Sequence, residues 1–245
     1  MSNDAATVSK PFRFKQFAIA QDRCAMKVGT DGVLLGAWAD VDGAQRILDI
    51  GTGTGVIAIQ LAQRTTEDVH IDAVEIDAAS VEQARENAAA CVWKGRIEIH
   101  QQSIQDFAKL SRTNYDLIVC NPPFFSGGVL SDNHARNVVR HTVKMPHGDL
   151  LMAVQKLLAK TGKFCVVLPR MEGMRFREMS HQYGLHCTRT TEVIPKSDKP
   201  VERLLLQFER VDREEVRDQI VIQKSDVRND WTDEYLALTG EFYLD

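Results

Sequence analysis

The feature that most limits what this chain can fold into is a regular alternation between two periodicities. Short apolar runs rich in β-branched residues occupy Arg46 to Ile50, His70 to Ile76, Arg96 to Gln101, Tyr115 to Cys120, Lys163 to Leu168, His186 to Val193 and Glu202 to Phe208. Between them, helical patterns fill Val56 to Gln63, Ala79 to Ala90, Ile104 to Leu110, Asp149 to Leu158 and Arg170 to Tyr183. A strand apolar on both faces needs cover on both, and helices alternating with such strands supply it. The pattern therefore predicts an α/β fold with one doubly wound, mostly parallel sheet of seven strands. In the second helix Val81, Ala84, Ala88 and Cys91 recur at helical spacing and are expected to face that sheet.

Two parts lie outside the rhythm. Residues 1–45 carry an aromatic and basic stretch (Phe12, Arg13, Phe14, Lys15, Phe17, Ile19) and then "DRCAMKVGTDGVLLGAWA", which reads as a hairpin and a helix laid across the sheet. Residues 211–245 run from the charged linker "VDREEVRD" through a strand-like "QIVIQ" to an amphipathic tail with Trp231, Tyr235, Leu238, Phe242 and Tyr243. With the core at 46–210, the 245 residues make one domain overall, and 44% hydrophobic content is enough to fill it.

The opening "MSNDAATVSK" has no targeting pattern, and no apolar stretch reaches the roughly 18 residues of a membrane helix, so a soluble cytoplasmic protein is expected. Cys24, Cys91, Cys120, Cys165 and Cys187 are scattered, without C-x-x-C or His pairs at ligand spacing. Neither a disulfide framework nor a metal site is expected. A net charge of -4 excludes a surface that grips nucleic acid everywhere. Its distribution is uneven, however. Asn133 to Gly148 holds Arg136, Arg140, Lys144, His134, His141 and His147 with no carboxylate, which suits either a solvated loop or an anion-binding surface.

The first strand enters the first helix through "LDIGTGTGVIAI", with Gly51, Gly53 and Gly55 in the turn. Glycines there admit positive φ and let a ligand approach the main chain. A dinucleotide fingerprint would need a glycine at position 56, which is Val56, so a nicotinamide reading weakens. The turn, with Asp49 before it and Thr52 within it, resembles motif I of S-adenosylmethionine-dependent methyltransferases. Glu75, ending the next strand, suits the ribose hydroxyls, while Asp77 is better placed as an N-cap. The loop after the third strand commonly brings an acid to the cofactor's adenine in such enzymes. Here it holds Ser103, which leaves the Ser103 hydroxyl, the Ile104 N–H and Asp106 as candidates.

The fourth strand runs directly into Asn121, Pro122, Pro123 and Phe124. An amino group conjugated to a ring or carbonyl is a poor nucleophile. Two acceptors, the Asn121 side-chain oxygen and the Pro122 carbonyl, take its two hydrogens and aim the lone pair at a sulfonium methyl. Consecutive prolines stiffen the loop, and Phe124 can stack on a planar base. Taken alone, Asn-Pro-Pro also serves simply to end a strand. "NPPF" resembles the [DNS]-P-P-[YFW] motif of amino-group methyltransferases, whose substrates are adenine in nucleic acid, guanine in ribosomal RNA or protein glutamine. An RNA-binding scaffold with a vestigial site is a reading of a different class, and cofactor binding separates it.

Beyond the motifs, "FKQFAIAQDRCAMKVGTDGVLLGAWA", "LDIGTGTG", "DAVEID", "NPPFF", "CVVLP" and "ALTGEFYL" resemble the bacterial tRNA(Val) adenine-37-N6 methyltransferase family over nearly the whole chain. The resemblance implies a Rossmann-like class I S-adenosylmethionine-dependent methyltransferase fold with small N- and C-terminal extensions. It also implies S-adenosylmethionine as cofactor and the anticodon loop of a tRNA as partner. Thr30, beside Asp31, would border the cofactor pocket. Arg136, Arg140 and Lys144 would meet neighbouring phosphates, with Lys199 and Arg203 extending the track alongside Lys15 and Lys196. Trp38 and Trp93 are expected to pack, and the protein to act as a monomer.

Overall fold

The computed structural model describes residues 10–123 and 145–244. Phe124, Arg136, Arg140 and Lys144 lie outside these described residues. The chain opens with a hairpin of β1 (Phe12–Arg13) and β2 (Ala18–Ile19), followed by α1 (Thr30–Trp38). The core then runs β3 (Arg46–Ile50), α2 (Val56–Arg64), β4 (His70–Glu75), α3 (Ala78–Ala90), β5 (Ile97–Gln101), α4 (Ile104–Leu110) and β6 (Tyr115–Cys120). After it come α5 (His147–Leu157), β7 (Leu158–Pro169), α6 (Arg170–Ser180), β8 (His186–Lys196) and β9 (Arg203–Glu209). The C-terminal extension supplies β10 (Val216–Gln223) and α7 (Asp233–Thr239).

The sheet order is β10-β8-β9-β7-β6-β3-β4-β5. Strands β3 to β7 are parallel to one another, whereas β9 runs antiparallel between β7 and β8. The seven expected strands are all present. The "QIVIQ" strand adds an eighth at the edge, parallel to β8 with Ile220 opposite Val193. Hydrogen-bonding capacity left open along β8 is what such a strand fills, and a sequence pattern cannot say which edge is open.

Residues alternate between two cores. Ile47, Ile71, Leu117 and Val119 face α1, α2 and α3, and Leu48, Val74, Ile118 and Cys120 face α4, α5 and α6. Val81, Ala84, Ala88 and Cys91 are all buried, as their spacing requires. Asp77 caps α3 by accepting from Ser80 N at 2.8 Å. Trp38 is buried, and Trp93 lies edge-on to Phe17 at 6.2 Å, so both pack.

Both termini join on the first of these faces. Lys15 N donates to Phe242 O at 2.8 Å, and the Phe14 ring stacks on Tyr243 at 5.9 Å. Cys24, Cys91, Cys120 and Cys165 are buried and Cys187 is half-buried, all as free thiols.

Candidate functional site

Parallel strands put their carboxyl ends on one side of the sheet, and a crevice opens where the strand order reverses. Here that point is β3, flanked by β4 and β6. Asp49, Glu75, Ser103 and Asn121 all stand at or just past the carboxyl ends of β3, β4, β5 and β6. Four segments far apart in the chain thus meet at one lip.

The glycine turn is held in shape by β4. Gly51 N and Thr52 N both donate to Val74 O, at 2.8 and 3.2 Å. Gly51, Gly53 and Gly55 have φ of 71°, 54° and 82°, the left-handed region that side chains disfavour. A Cβ on Gly53 would meet nothing within 4 Å, so the turn is open on the side where a ligand approaches. Gly55 differs, because its Cβ position lies 3.5 Å from Ala84 Cβ and brings α2 close to α3.

Asp49 is fully buried beneath the turn. Its Oδ2 accepts from the Thr52 hydroxyl at 2.6 Å, and its Oδ1 has no partner among the described residues. Burial pushes its carboxyl up to about 7, opposed by the Thr52 bond and by the Ala58 backbone N–H, with the Glu75 charge adding a smaller rise. A buried acceptor without a donor is costly. It fits a ligand that brings a cationic amine.

Glu75 is held by three main-chain groups. Gly53 N–H donates to Oε2 at 3.0 Å, and Ile76 and Asp77 N–H donate to Oε1 at 2.8 and 3.0 Å. A carboxylate has about four acceptor sites, so one remains, on Oε2, for a ribose hydroxyl. The second hydroxyl of a ribose displaces one of these N–H groups or finds another partner.

The Ser103 hydroxyl is engaged as the cap of α4, accepting from Asp106 N at 3.1 Å and donating to Asp106 Oδ2 at 2.8 Å. Asp106 is also paired with Lys109. Of the three candidates for the cofactor's adenine, the Ile104 N–H in the first turn of α4 has no intrahelical acceptor, whereas the Ser103 hydroxyl and Asp106 already bond each other. Two residues went unnoticed in the sequence. Ile76, beside Glu75, leaves its apolar side chain 51% exposed at the lip, suited to a flat base. The Met145 methyl lies 4.0 Å from the Cβ position of Gly51 and walls the turn. A lone apolar residue set between Glu75 and Asp77 was the available signal for Ile76; none existed for Met145.

Asn121 leaves β6 beside β3. Its Nδ2 lies 3.5 Å from the Cβ position of Gly32 on α1, and its Oδ1 is buried without a partner among the described residues. The carboxamide therefore rests against the helix that begins at Thr30, and its acceptor atom is unspent. Thr30 itself is exposed at the start of α1.

The residues expected along a phosphate track are largely paired. Lys196 meets Asp226 at 2.6 Å and Asp198 at 3.5 Å, Lys199 meets Asp198 at 3.7 Å, and Arg203 Nε donates to Asp31 at 2.9 Å. Away from the lip, Asp72 Oδ1 meets His100 Nε2 at 2.6 Å and Asp72 Oδ2 accepts from the Tyr115 hydroxyl at 2.8 Å, with Glu98 nearby.

A family model described as "Methyltransferase small domain" matches residues 28–184. A tRNA1(Val) (adenine(37)-N6)-methyltransferase of Serratia proteamaculans is 46% identical over 95% of this chain and 89% of its own length. One of Trichodesmium erythraeum is 46% identical over 95% of this chain and 97% of its own. The chain belongs to the tRNA1(Val) (adenine(37)-N6)-methyltransferase family. As a member it is an S-adenosylmethionine-dependent N-methyltransferase, and the unspent acceptors on Asp49 and Asn121 fit that donor and an amino-group substrate. Among solved structures, a protein described as a predicted O-methyltransferase from Agrobacterium tumefaciens has a TM-score of 0.62 at 17% identity, covering 86% of this chain and 96% of that one. The CcbJ methyltransferase of Streptomyces caelestis has a TM-score of 0.54 at 14% identity, covering 78% and 96%. At those identities the likeness speaks for the class I methyltransferase fold that this family member shares with them.

Proposed function

We propose that the chain transfers a methyl group from S-adenosylmethionine to the exocyclic N6 of adenine 37, beside the anticodon of tRNA1(Val). The observation that carries this reading is the buried, unpartnered Oδ1 of Asn121 at the end of β6. The names of relatives at 46% identity over nearly the whole chain support the choice of base and tRNA. No helix among the described residues is long and apolar enough to cross a membrane, in keeping with a cytoplasmic tRNA enzyme.

When bound, S-adenosylmethionine supplies an electrophilic methyl on a sulfonium. Asp49 Oδ1 would hold the cofactor's ammonium, Glu75 Oε2 a ribose hydroxyl, and the Ile104 N–H a ring nitrogen. Asn121 Oδ1 and the Pro122 carbonyl accept the two N6 hydrogens of adenine, which lifts the amino lone pair out of conjugation. Phe124 stacks on the base, and Arg136, Arg140 and Lys144 meet adjacent phosphates. As the N–C bond forms, the methyl–sulfur bond would break with its electron pair returning to sulfur, S-adenosylhomocysteine would leave, and the nitrogen would become cationic; the same two carbonyls would hold it until its extra proton passes to water. An anticodon-loop base is already unpaired, so presenting it costs less than extrusion from a duplex.

Incubation with methyl-labelled cofactor and either total tRNA or a release-factor protein tests the reading. Label is expected in tRNA, recovered as N6-methyladenosine, and label only in protein would defeat it. Asn121→Ala should abolish transfer while calorimetry shows cofactor affinity within about twofold of wild type, because the carboxamide faces substrate and not cofactor.

A further inference from the structure

The position of the Asn121 carboxamide follows the first turn of α1, since its Nδ2 sits 3.5 Å from the Cβ position of Gly32. That turn begins at Gly29, which makes no side-chain cap hydrogen bond. First-turn amides have no intrahelical acceptor, and glycine has no side chain to supply one. Asp31 ties it down from a distance, its Oδ2 accepting from Arg203 Nε at 2.9 Å across 172 residues of sequence. Arg203 opens β9, paired in register with Pro169 of β7 and Val193 of β8, and its neighbour Glu202 accepts from Arg170 N and donates to Val193 O at 3.0 Å each, so its backbone is fixed by strands on both sides. The two side chains are only 32% and 25% exposed, which shields the pair from the screening that empties surface ion pairs of effect. The acid also sits in the first turn, where the helix dipole favours it.

We propose that the Asp31–Arg203 ion pair is a positioning device for methyl transfer, holding the first turn of α1 against Asn121 so that the carboxamide stays at transfer distance. Arg203 then acts through Asp31 and Gly32, and is not a phosphate contact. The proposal rests on the reading of Asn121 given above. Its physical basis is that transfer depends steeply on alignment; a displacement of about 1 Å can cost on the order of a hundredfold in rate.

The test is single-turnover transfer at saturating cofactor and tRNA for Arg203→Ala, Arg203→Lys, Asp31→Asn and the double variant Asp31→Asn/Arg203→Ala. Cofactor affinity is measured by calorimetry and tRNA affinity by filter binding over a salt series. Each single loss of the pair should slow transfer by about tenfold or more, with tRNA affinity and its salt slope as in wild type. The double variant should be no slower than the worse single, and Arg203→Lys should recover part of the rate. Asp31→Asn is nearly isosteric, so it keeps the comparison valid if Arg203→Ala folds poorly. Weaker tRNA binding with a shallower salt slope and an intact saturated rate in Arg203→Ala would make Arg203 a phosphate contact and overturn the proposal. So would an Asp31→Asn enzyme at wild-type rate. If wild-type protein labels a different acceptor, the substrate reading falls, and the same rate comparison on that acceptor judges the pair separately.

Discussion

Cofactor binding should be coupled to a proton through Asp49. The carboxyl is fully buried and pushed up to about 7, so near neutral pH half the free protein carries it protonated. An ammonium delivered to Oδ1 favours the ionised form. Apparent Kd then scales as one plus ten raised to the difference between that value and the pH, which is about 11 at pH 6 and about 1.3 at pH 7.5. Affinity should therefore weaken about eightfold, or roughly 1.2 kcal/mol, from pH 7.5 to pH 6, with about half a proton released per cofactor bound at pH 7. Calorimetry in buffers of different ionisation enthalpy reads both quantities. The cofactor's own α-amino group titrates near 8, identically for wild type and an Asp49→Asn variant, so the difference between their pH profiles isolates the aspartate. Equal pH slopes for the two proteins would refute the reasoning.

The same shift has a sign for stability. An acid whose folded value is raised binds more protons folded than unfolded across the window from about 4 to about 7, so cofactor-free protein should lose stability as pH rises through it, and Asp49→Asn should flatten the loss.

Asn87 is a buried carboxamide that donates to Ala20 O at 2.8 Å and Thr54 O at 2.9 Å and accepts from Ala20 N at 2.9 Å, stitching the N-terminal segment to the glycine turn. Asn87→Ala should cost about 2–4 kcal/mol in urea unfolding and weaken cofactor binding; a loss below about 0.5 kcal/mol would contradict it. Gly55→Ala meets only ordinary contact at Ala84 but must hold a φ of 82°, so thermal unfolding should show a loss of about 1–2 kcal/mol from backbone strain. His100 is raised above its ordinary value, chiefly by its bond to Asp72, against the opposing effect of burial. The stabilisation is present below about 6.5 and lost as pH rises through the folded value, so a denaturation series from pH 6 to pH 8 should slope downward in wild type and lie flatter in His100→Gln.

How far the site was legible depended on how local its causes are. The Gly51 to Gly55 turn, the Glu75 acid, the Asp77 cap and the Asn-Pro-Pro stop each follow from neighbours within a few residues, and chain spacing displays them. Ser103 could not be assigned from sequence because a hydroxyl at a strand-to-helix junction is equally a helix cap, and in the fold it does bond Asp106 three residues on. Asp198 stands beside Lys199 in the chain, but Asp226 becomes a partner of Lys196 only once the β8–β9 turn and the segment after β10 lie side by side.

By itself the amino-acid order determined the periodicities, and with them the layers, the crossing point at β3 and the residues delivered to its lip. Tertiary structure alone decided which of those residues arrive with capacity left over: Asp49 Oδ1 and Asn121 Oδ1 unspent, Glu75 three-quarters occupied, Arg203 joined to Asp31 across 172 positions. The physical reason is that backbone conformation is chosen by short-range sterics and burial pattern, whereas the reactivity of a polar atom is set by every donor and charge that folding brings within hydrogen-bonding reach.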